Sequence, residues 1–486
     1  MIYRIPVIPK FGKRNREANK PAGFLFHRWI PGLLVLTVMV FAAACGDNSP
    51  ASIQDADLPD ATLPDGSIVD ATSPDAEPLP PGITAIAPYE PVEPWDDLSA
   101  LDPIIGDADY IGLGESVHTS GGFYGTKDRV IRYLVAEKGF RVVAVETPWV
   151  AADLVGEFVA TGEGNSTTVL RNIFGVFADR HMRDLVEWLA AWNHENPDDP
   201  VAYMGFDIQQ PWDDARLLRV FLDSAAPEDA TAVHEPLLRC YGAPYDSADD
   251  FYGSGAYNDP IEPEDHEGCM QGVDAAWTWF ETNDATLIAS VSADEVALAR
   301  LHLRGLEANQ GTVWGIQEDN YSGGFESRDH GMADVFDALM SLRHPGERAA
   351  IWAHNLHIAE RHDEINTPWN WPGMARSMGT FLSERHGDNY RALGIIAYQT
   401  FMNWPGFGDM LPTPTESNSI ELMLHELGEP FLLVDLKFPG AEDPFFTPGE
   451  MYRSGSGSYS DFLVPADQFH GLFFLEVSPA MEALFW

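Results

Sequence analysis

Residues 110–118 read YIGLGESVH: a short apolar run, a glycine, and then Glu115 and His118 within four positions. A buried strand that stops abruptly on charge marks the carboxyl edge of an open parallel sheet, where ligands and catalytic groups sit. Three further runs share the pattern. VVAVE ends on Glu146, AYMGFD on Asp207 and AAIWAH on His354. As neighbouring parallel strands, these four bring their polar ends into one crevice, and the residues gathered there suit acid/base chemistry.

Working outward, helical periodicity in KDRVIRYLVAEKGF, AADLVGEFVA, RDLVEWLAAWNHE and DDARLLRVFLD alternates with the strands RVVAVE and VAYMGFD. From about Ala226 to His344 strand patterns vanish and amphipathic segments such as DEVALARLHLRGLEANQ take over. The alternation resumes at RAAIWAH, continues through ARSMGTFLSERHG and YRALGIIAY, and finishes near FLLVDL and GLFFLEV. The expected fold class is α/β, with a mixed, largely parallel sheet flanked by helices. A mostly helical insertion, about residues 226–344, is expected to cap the active-site cleft.

The first 45 residues read as delivery. Lys10, Lys13, Arg14, Arg16, Lys20 and Arg28 precede WIPGLLVLTVMVFAAAC, too short and wrongly flanked for an ordinary spanning helix. Ala42, Ala43 and Ala44 before Cys45 resemble a bacterial lipobox, so Cys45 is the expected acylation site; a plain signal peptide or an uncleaved anchor is the alternative. Residues 46–88, rich in Asp, Pro and Ala, lack the apolar surface needed to offset the entropy of ordering and read as a disordered tether. Residues 89–486 then form the catalytic domain, exported and lipid-anchored on the periplasmic or cell-surface side of a bacterial membrane. With 75 acidic against 29 Lys and Arg residues, a net charge of −46, the chain is unsuited to nucleic acid or anionic lipid surfaces. Cys240 and Cys269 bracket a Gly, Asp and Tyr-rich stretch, which in an exported protein suggests a disulfide; no CxxC spacing points to a metal pair.

GLGESVHTSGGFYGTKDRVIRYLVAEKGFRVVAVETPW, followed in order by RDLVEWLAAWN, GFDIQQ, RDHGMAD, IWAHNLH and SMGTFL, resembles the erythromycin esterase family. The likeness runs from about Asp96 to Tyr398. It implies an α/β core with a helical region framing a deep cleft, and hydrolysis of a macrolide lactone by histidine-assisted water with no covalent intermediate and no cofactor. Carried over position by position, the family's GExxH motif falls on Glu115 and His118, with His118 the general base. The family's next basic position is Lys127, the glutamate ending the second strand is Glu146, and the HNxH motif is His354 and His357. TSGGFYG after His118 replaces a bulkier, more charged segment, a departure that bears on the substrate.

The chemistry also follows from the residues. A neutral imidazole can take a proton from water attacking an ester or lactone carbonyl, and a neighbouring carboxylate fixes its tautomer. Lys127, a second histidine or backbone N–H groups can supply the oxyanion's donors. Lys127 stands out because only Lys138 and Lys437 accompany it beyond Cys45; its structural role would be a helix-surface charge. Glu146 can instead cap a helix, and His354 and His357 can be two hydrogen-bonded loop histidines. Asp207 and Arg328 are candidate substrate contacts, with Arg328 alternatively ordering the insertion through an ion pair. Trp149, Trp314, Trp352, Trp369 and Trp371 read as core or cleft wall. Two other functions compete: a divalent-metal hydrolase using the Glu and His cluster, and a non-enzymatic surface lipoprotein.

Overall fold

The computed structural model describes residues 78–91, 93–240, 261–366, 375–403, 410–438, 445–455 and 461–485. Cys45, the leader, most of the tether, Trp369 and Trp371 lie outside them. Among the described residues no helix is long and apolar enough to cross a membrane.

Eight strands build the main sheet: β1 (Ile83–Ala85), β2 (Tyr110–Leu113), β3 (Val142–Pro148), β4 (Ala202–Asp207), β5 (Ala349–Trp352), β6 (Tyr390–Thr400), β7 (Phe431–Asp435) and β10 (Gly471–Ser478). β8 (Tyr452–Ser454) and β9 (Asp461–Leu463) form a separate antiparallel pair. The main order is β1-β7-β10-β6-β2-β5-β3-β4. From β10 to β4 every pairing is parallel; β7 runs antiparallel to both β10 and β1. The fold is therefore the mixed, largely parallel α/β sheet that the alternation of elements implies.

The central strands are buried on both faces, as strands covered by crossover helices must be. Val143 and Val145 pack on one face with Phe123, Ile131, Leu185 and Leu189, from α1 (Gly121–Lys138) and α3 (Arg180–Glu195); between those helices in the chain lies α2 (Trp149–Thr161). Val142 and Ala144 turn to the other face, against Val335, Phe336 and Phe381. A third apolar cluster, including Leu218, Leu222, Phe280 and Leu303, joins α4 (Pro211–Ala225), α5 (Pro263–Ser290) and α6 (Ala293–Gln317). Of these, α5 and α6, with α7 (Tyr321–Arg343), lie in the helical insertion, and α4 precedes it and packs against it. Cys240 and Cys269 are disulfide-bonded within it, with Cα atoms 4.9 Å apart.

One boundary moves. Ile83–Ala85, assigned to the tether in the sequence, pairs with Leu432–Val434 of β7 and extends the sheet. Three residues are too few to display a strand's alternation, whereas Ile83 has an apolar face to bury.

Candidate active site

Register brings the strand ends level. Trp352 of β5 pairs with Leu113 of β2 on one side and with Val145 of β3 on the other. Glu115, His354 and Glu146 each follow that row by one or two residues, so all three emerge at the same edge. Gly114 makes the approach possible: a Cβ there would lie 1.9 Å from Asn355 Oδ1. Asn355 in turn grips the Ile395 backbone, donating to its carbonyl at 3.0 Å and accepting from its N–H at 3.2 Å.

The first half of the centre is Glu115, fully buried, with Oε1 2.5 Å from His118 Nδ1 and Oε2 2.6 Å from Lys127 Nζ. Carboxylate acceptance places the His118 proton on Nδ1 and the basic lone pair on Nε2. Lys127 differs from both roles read in the sequence. It is neither a surface charge nor an oxyanion donor in the cleft: Nζ is fully buried, donates also to the Ala353 carbonyl at 2.8 Å, and lies 4.8 Å from the Trp352 ring centre. Burial lowers its pKa to about 8 against the opposing pull of Glu115. The lysine backs the glutamate from behind.

The second half is Glu146, whose Oε2 accepts from the His354 backbone N–H at 2.9 Å and whose Oε1 accepts from Arg328 Nη2 at 2.9 Å. Burial alone would raise its pKa, yet His357, Arg328 and His118 hold it well below the ordinary carboxylate range. His354 Nδ1 accepts from the Leu356 N–H at 3.1 Å, leaving the proton of its neutral ring on Nε2 as a donor. Burial first, then His118 and His357, push its pKa well below the usual imidazole value, so it stays neutral. The His118 and His354 rings stand 5.0 Å apart, and Phe177 packs edge-on against His118 at 5.3 Å.

Asp207 and Arg328 face each other. Arg328 Nη2 lies 2.5 Å from Asp207 Oδ2, and both side chains are buried. Arg328 Nη1 also contacts His357 Nε2 at 3.0 Å, which requires a lone pair on that nitrogen. The Glu146 contact to the same nitrogen, at 3.3 Å, requires a proton there. Burial lowers the His357 pKa, but Asp329 and Glu146 outweigh it and raise it to about 9. Asp329, 2.8 Å from His357 Nδ1, was not singled out in the sequence although it lies in the quoted RDHGMAD stretch, next to Arg328. The observed arrangement is an arginine from the helical insertion locking Glu146, Asp207 and His357 together.

Among the tryptophans, Trp149 donates to Asp214 at 3.1 Å inside the protein, Trp352 lies beneath Lys127, and Trp314 stacks on His266. A recess with about 100 Å³ of open space adjoins the centre, bordered by Ser116, His354, Leu356, Ile396, Phe469 and Leu472. Among the described residues no three His, Cys, Asp or Glu side chains are arranged to hold a metal ion. Glu115 and Glu146 direct their oxygens to cations and N–H groups instead of converging on a common point.

Fold and centre together are those of an α/β enzyme with paired histidine and glutamate groups at the carboxyl edge of its sheet. The chain belongs to the erythromycin esterase family, whose model matches residues 135–478. Glu115, His118 and Lys127 precede the matched span. A Bacillus subtilis (strain 168) protein named as a hydrolase, YbfO, is 23% identical over 360 residues, covering 70% of this chain and 76% of the relative. Erythromycin esterase type II of Escherichia coli is 23% identical over 333 residues, covering 63% of this chain and 73% of the relative. Among solved structures, a Bacillus cereus protein superposes with a TM-score of 0.67 at 19% identity, over 83% of this chain and 96% of the other. A histidine-to-asparagine variant of the erythromycin esterase EreC, in its open conformation, gives a TM-score of 0.65 at 18% identity, over 81% and 96%. At these identities the structures speak to the fold, and the family and its hydrolase-named relatives to hydrolysis.

Proposed function

We propose that this protein hydrolyses carboxylic esters or lactones, macrolide-like lactones among them, using water activated by His118. The observation that carries the reading is a pair of adjacent imidazoles with opposite Nδ1 partners, a Glu115 carboxylate on His118 and the Leu356 N–H on His354, which assign a basic Nε2 to His118 and an Nε2–H to His354. Water bound between His118 and the substrate attacks the carbonyl carbon while His118 Nε2 takes its proton. His354 Nε2–H donates to the oxyanion as it forms. The tetrahedral adduct collapses, the bond from the acyl carbon to the leaving oxygen breaks, and His118 returns its proton to that oxygen. Glu115, paired with Lys127, stabilises the transient imidazolium. The adjoining recess is apolar on most sides and suits a hydrocarbon part of the substrate.

Ser116 tempts as a nucleophile because Gly114, Ser116 and His118 imitate part of a GxSxG elbow, whose final glycine is missing here. It is exposed at the recess, and no hydrogen bond joins it to a histidine among the described residues. The test is a mass-spectrometric screen of esters and lactones with purified protein, alongside intact-protein mass during turnover. Lactones converted to hydroxy acids heavier by one water, and open-chain esters split into acid and alcohol, with no acyl adduct on the protein, are expected, and Ser116→Ala retains most activity. A trapped acyl-serine, or no hydrolysis across the screen, overturns the reading. Membrane attachment through Cys45 belongs to the same proposal: Cys45→Ser is expected to release the protein from membranes or block its maturation, and unchanged fractionation and mass would reject it.

A further inference from the structure

Thr119, immediately after His118, has φ 66°, one of two non-glycine residues with positive φ among those described. A β-branched side chain in the left-handed region is strained, and such residues persist only where their surroundings over-determine them. This one is fully buried, and its hydroxyl oxygen has no hydrogen-bond partner. Nothing about its own side chain favours the conformation. The forces must come from its backbone.

They come from two sides. The Thr119 N–H donates to the Tyr124 hydroxyl at 2.8 Å, and that hydroxyl donates to the Val176 carbonyl at 2.6 Å. The Thr119 carbonyl accepts from the N–H of Met481 at 3.0 Å and of Asn403 at 3.2 Å. Met481 belongs to the segment 479–485 that follows β10. That segment also takes the Gly121 N–H on the Pro479 carbonyl at 2.6 Å and bridges Ser120 through Ala480. Further along, Leu484 donates to the Ala178 carbonyl at 2.9 Å, and Glu482 accepts from the Arg180 N–H at 3.0 Å. One extended strap thus stitches the loop after His118 to the loop after Phe177, whose ring packs on His118. The family match ends at residue 478, so the strap lies beyond it.

We infer that the strap 479–485 and Tyr124 form a clamp that forces Thr119 into its left-handed conformation and thereby aims His118. Tyr124, Met481 and Thr119 are positioning residues and do not touch substrate. The inference rests on His118 being the base, because a clamp on an idle histidine would have no kinetic consequence. Its physical content is that the correct His118 geometry depends on a strained backbone that relaxes when the clamp is cut.

The test cuts the clamp and then removes the need for it. Tyr124→Phe deletes the acceptor of the Thr119 N–H with little change in volume. Met481→Pro deletes the donor to the Thr119 carbonyl at a position preceded by the bridged, extended Ala480, a backbone that tolerates a following proline. Each variant is expected to lower kcat by about tenfold to a hundredfold, the size of effect that small displacements of a catalytic group produce, with KM little changed. Adding Thr119→Gly, which adopts positive φ without strain, is expected to restore most of kcat in both backgrounds. In parallel, the downfield proton resonance of the His118 Nδ1–H bonded to Glu115 should broaden or vanish in the single variants and return in the doubles. Wild-type kcat and an unchanged resonance in both single variants, or loss with no rescue by Thr119→Gly, overturns the clamp. If the resonance is lost and rescued as expected while His118→Ala remains fully active, the clamp stands and the assignment of His118 as base falls.

Discussion

Replacing Lys127 by methionine keeps the volume and apolar stem of the side chain but strands a buried carboxylate. In the native protein Glu115 is shared between Lys127 Nζ at 2.6 Å and His118 Nδ1 at 2.5 Å. Removing one member of a fully buried pair costs about 3–5 kcal/mol, because the remaining charge stays desolvated without its partner. A second effect falls on His118. Both groups hang from one carboxylate, so the ammonium lies within about 7 Å of the imidazole, and at an effective dielectric constant near 20 that charge is worth about 2 kcal/mol. The pH profile of kcat/KM for a hydrolysed ester should therefore change in Lys127→Met. Wild type should lose the same support as pH rises through about 8, where Lys127 gives up its proton, and the variant should lack that feature. The assay is a pH-stat titration of ester hydrolysis with chemical unfolding run alongside. A variant with wild-type stability and an unshifted pH profile would show that Lys127 does not support Glu115 and His118.

Other perturbations separate the second half of the centre and the insertion. His357 has a pKa raised from 6.5 to about 9, so it contributes stability that is fully present below 6.5 and is lost as pH rises toward 9. The contribution is on the order of 3 kcal/mol, and His357→Gln should flatten that part of the wild-type stability curve in urea unfolding; identical pH slopes would refute it. Arg328→Met leaves Glu146 and Asp207 as neighbouring buried carboxylates without their shared cation, and should cost about 3–5 kcal/mol. Thermal unfolding measures that loss, and a change under about 1 kcal/mol contradicts it. Replacing Cys240 and Cys269 by serine should destabilise the insertion by about 3 kcal/mol through loss of a constraint spanning 29 residues of sequence. Faster hydrogen exchange in α4 to α6 is the expected sign, and unchanged exchange there the contrary one.

The strand ends were legible in the sequence because each apolar run stopped on an ionisable side chain, and parallel register then leaves little freedom about where those ends meet. The helical insertion was legible for the same reason of periodicity. What could not be read was direction. α1 carries Lys127, Asp128 and Arg129 in succession, which looks like a solvated turn, yet all three side chains are buried, because the helix is packed on several sides at once. Arg328 reaches Asp207 across 121 residues of sequence, a pairing that only the closed fold creates. The strand Ile83–Ala85 was too short to show a period. Thr119 gave no sign of strain, since threonine is ordinarily a residue of extended backbone and the groups that hold it, the Tyr124 hydroxyl as acceptor and the Asn403 and Met481 N–H groups as donors, come from elsewhere in the chain.

The central claim, that His118 is the base of an ester hydrolase, is tested most directly by kcat/KM of His118→Ala on whichever ester or lactone the wild type turns over, with near-ultraviolet circular dichroism confirming the fold. A loss of about a thousandfold or more is the predicted result, equivalent to roughly 4 kcal/mol of transition-state stabilisation. A folded His118→Ala protein with activity within a few-fold of wild type would contradict the account.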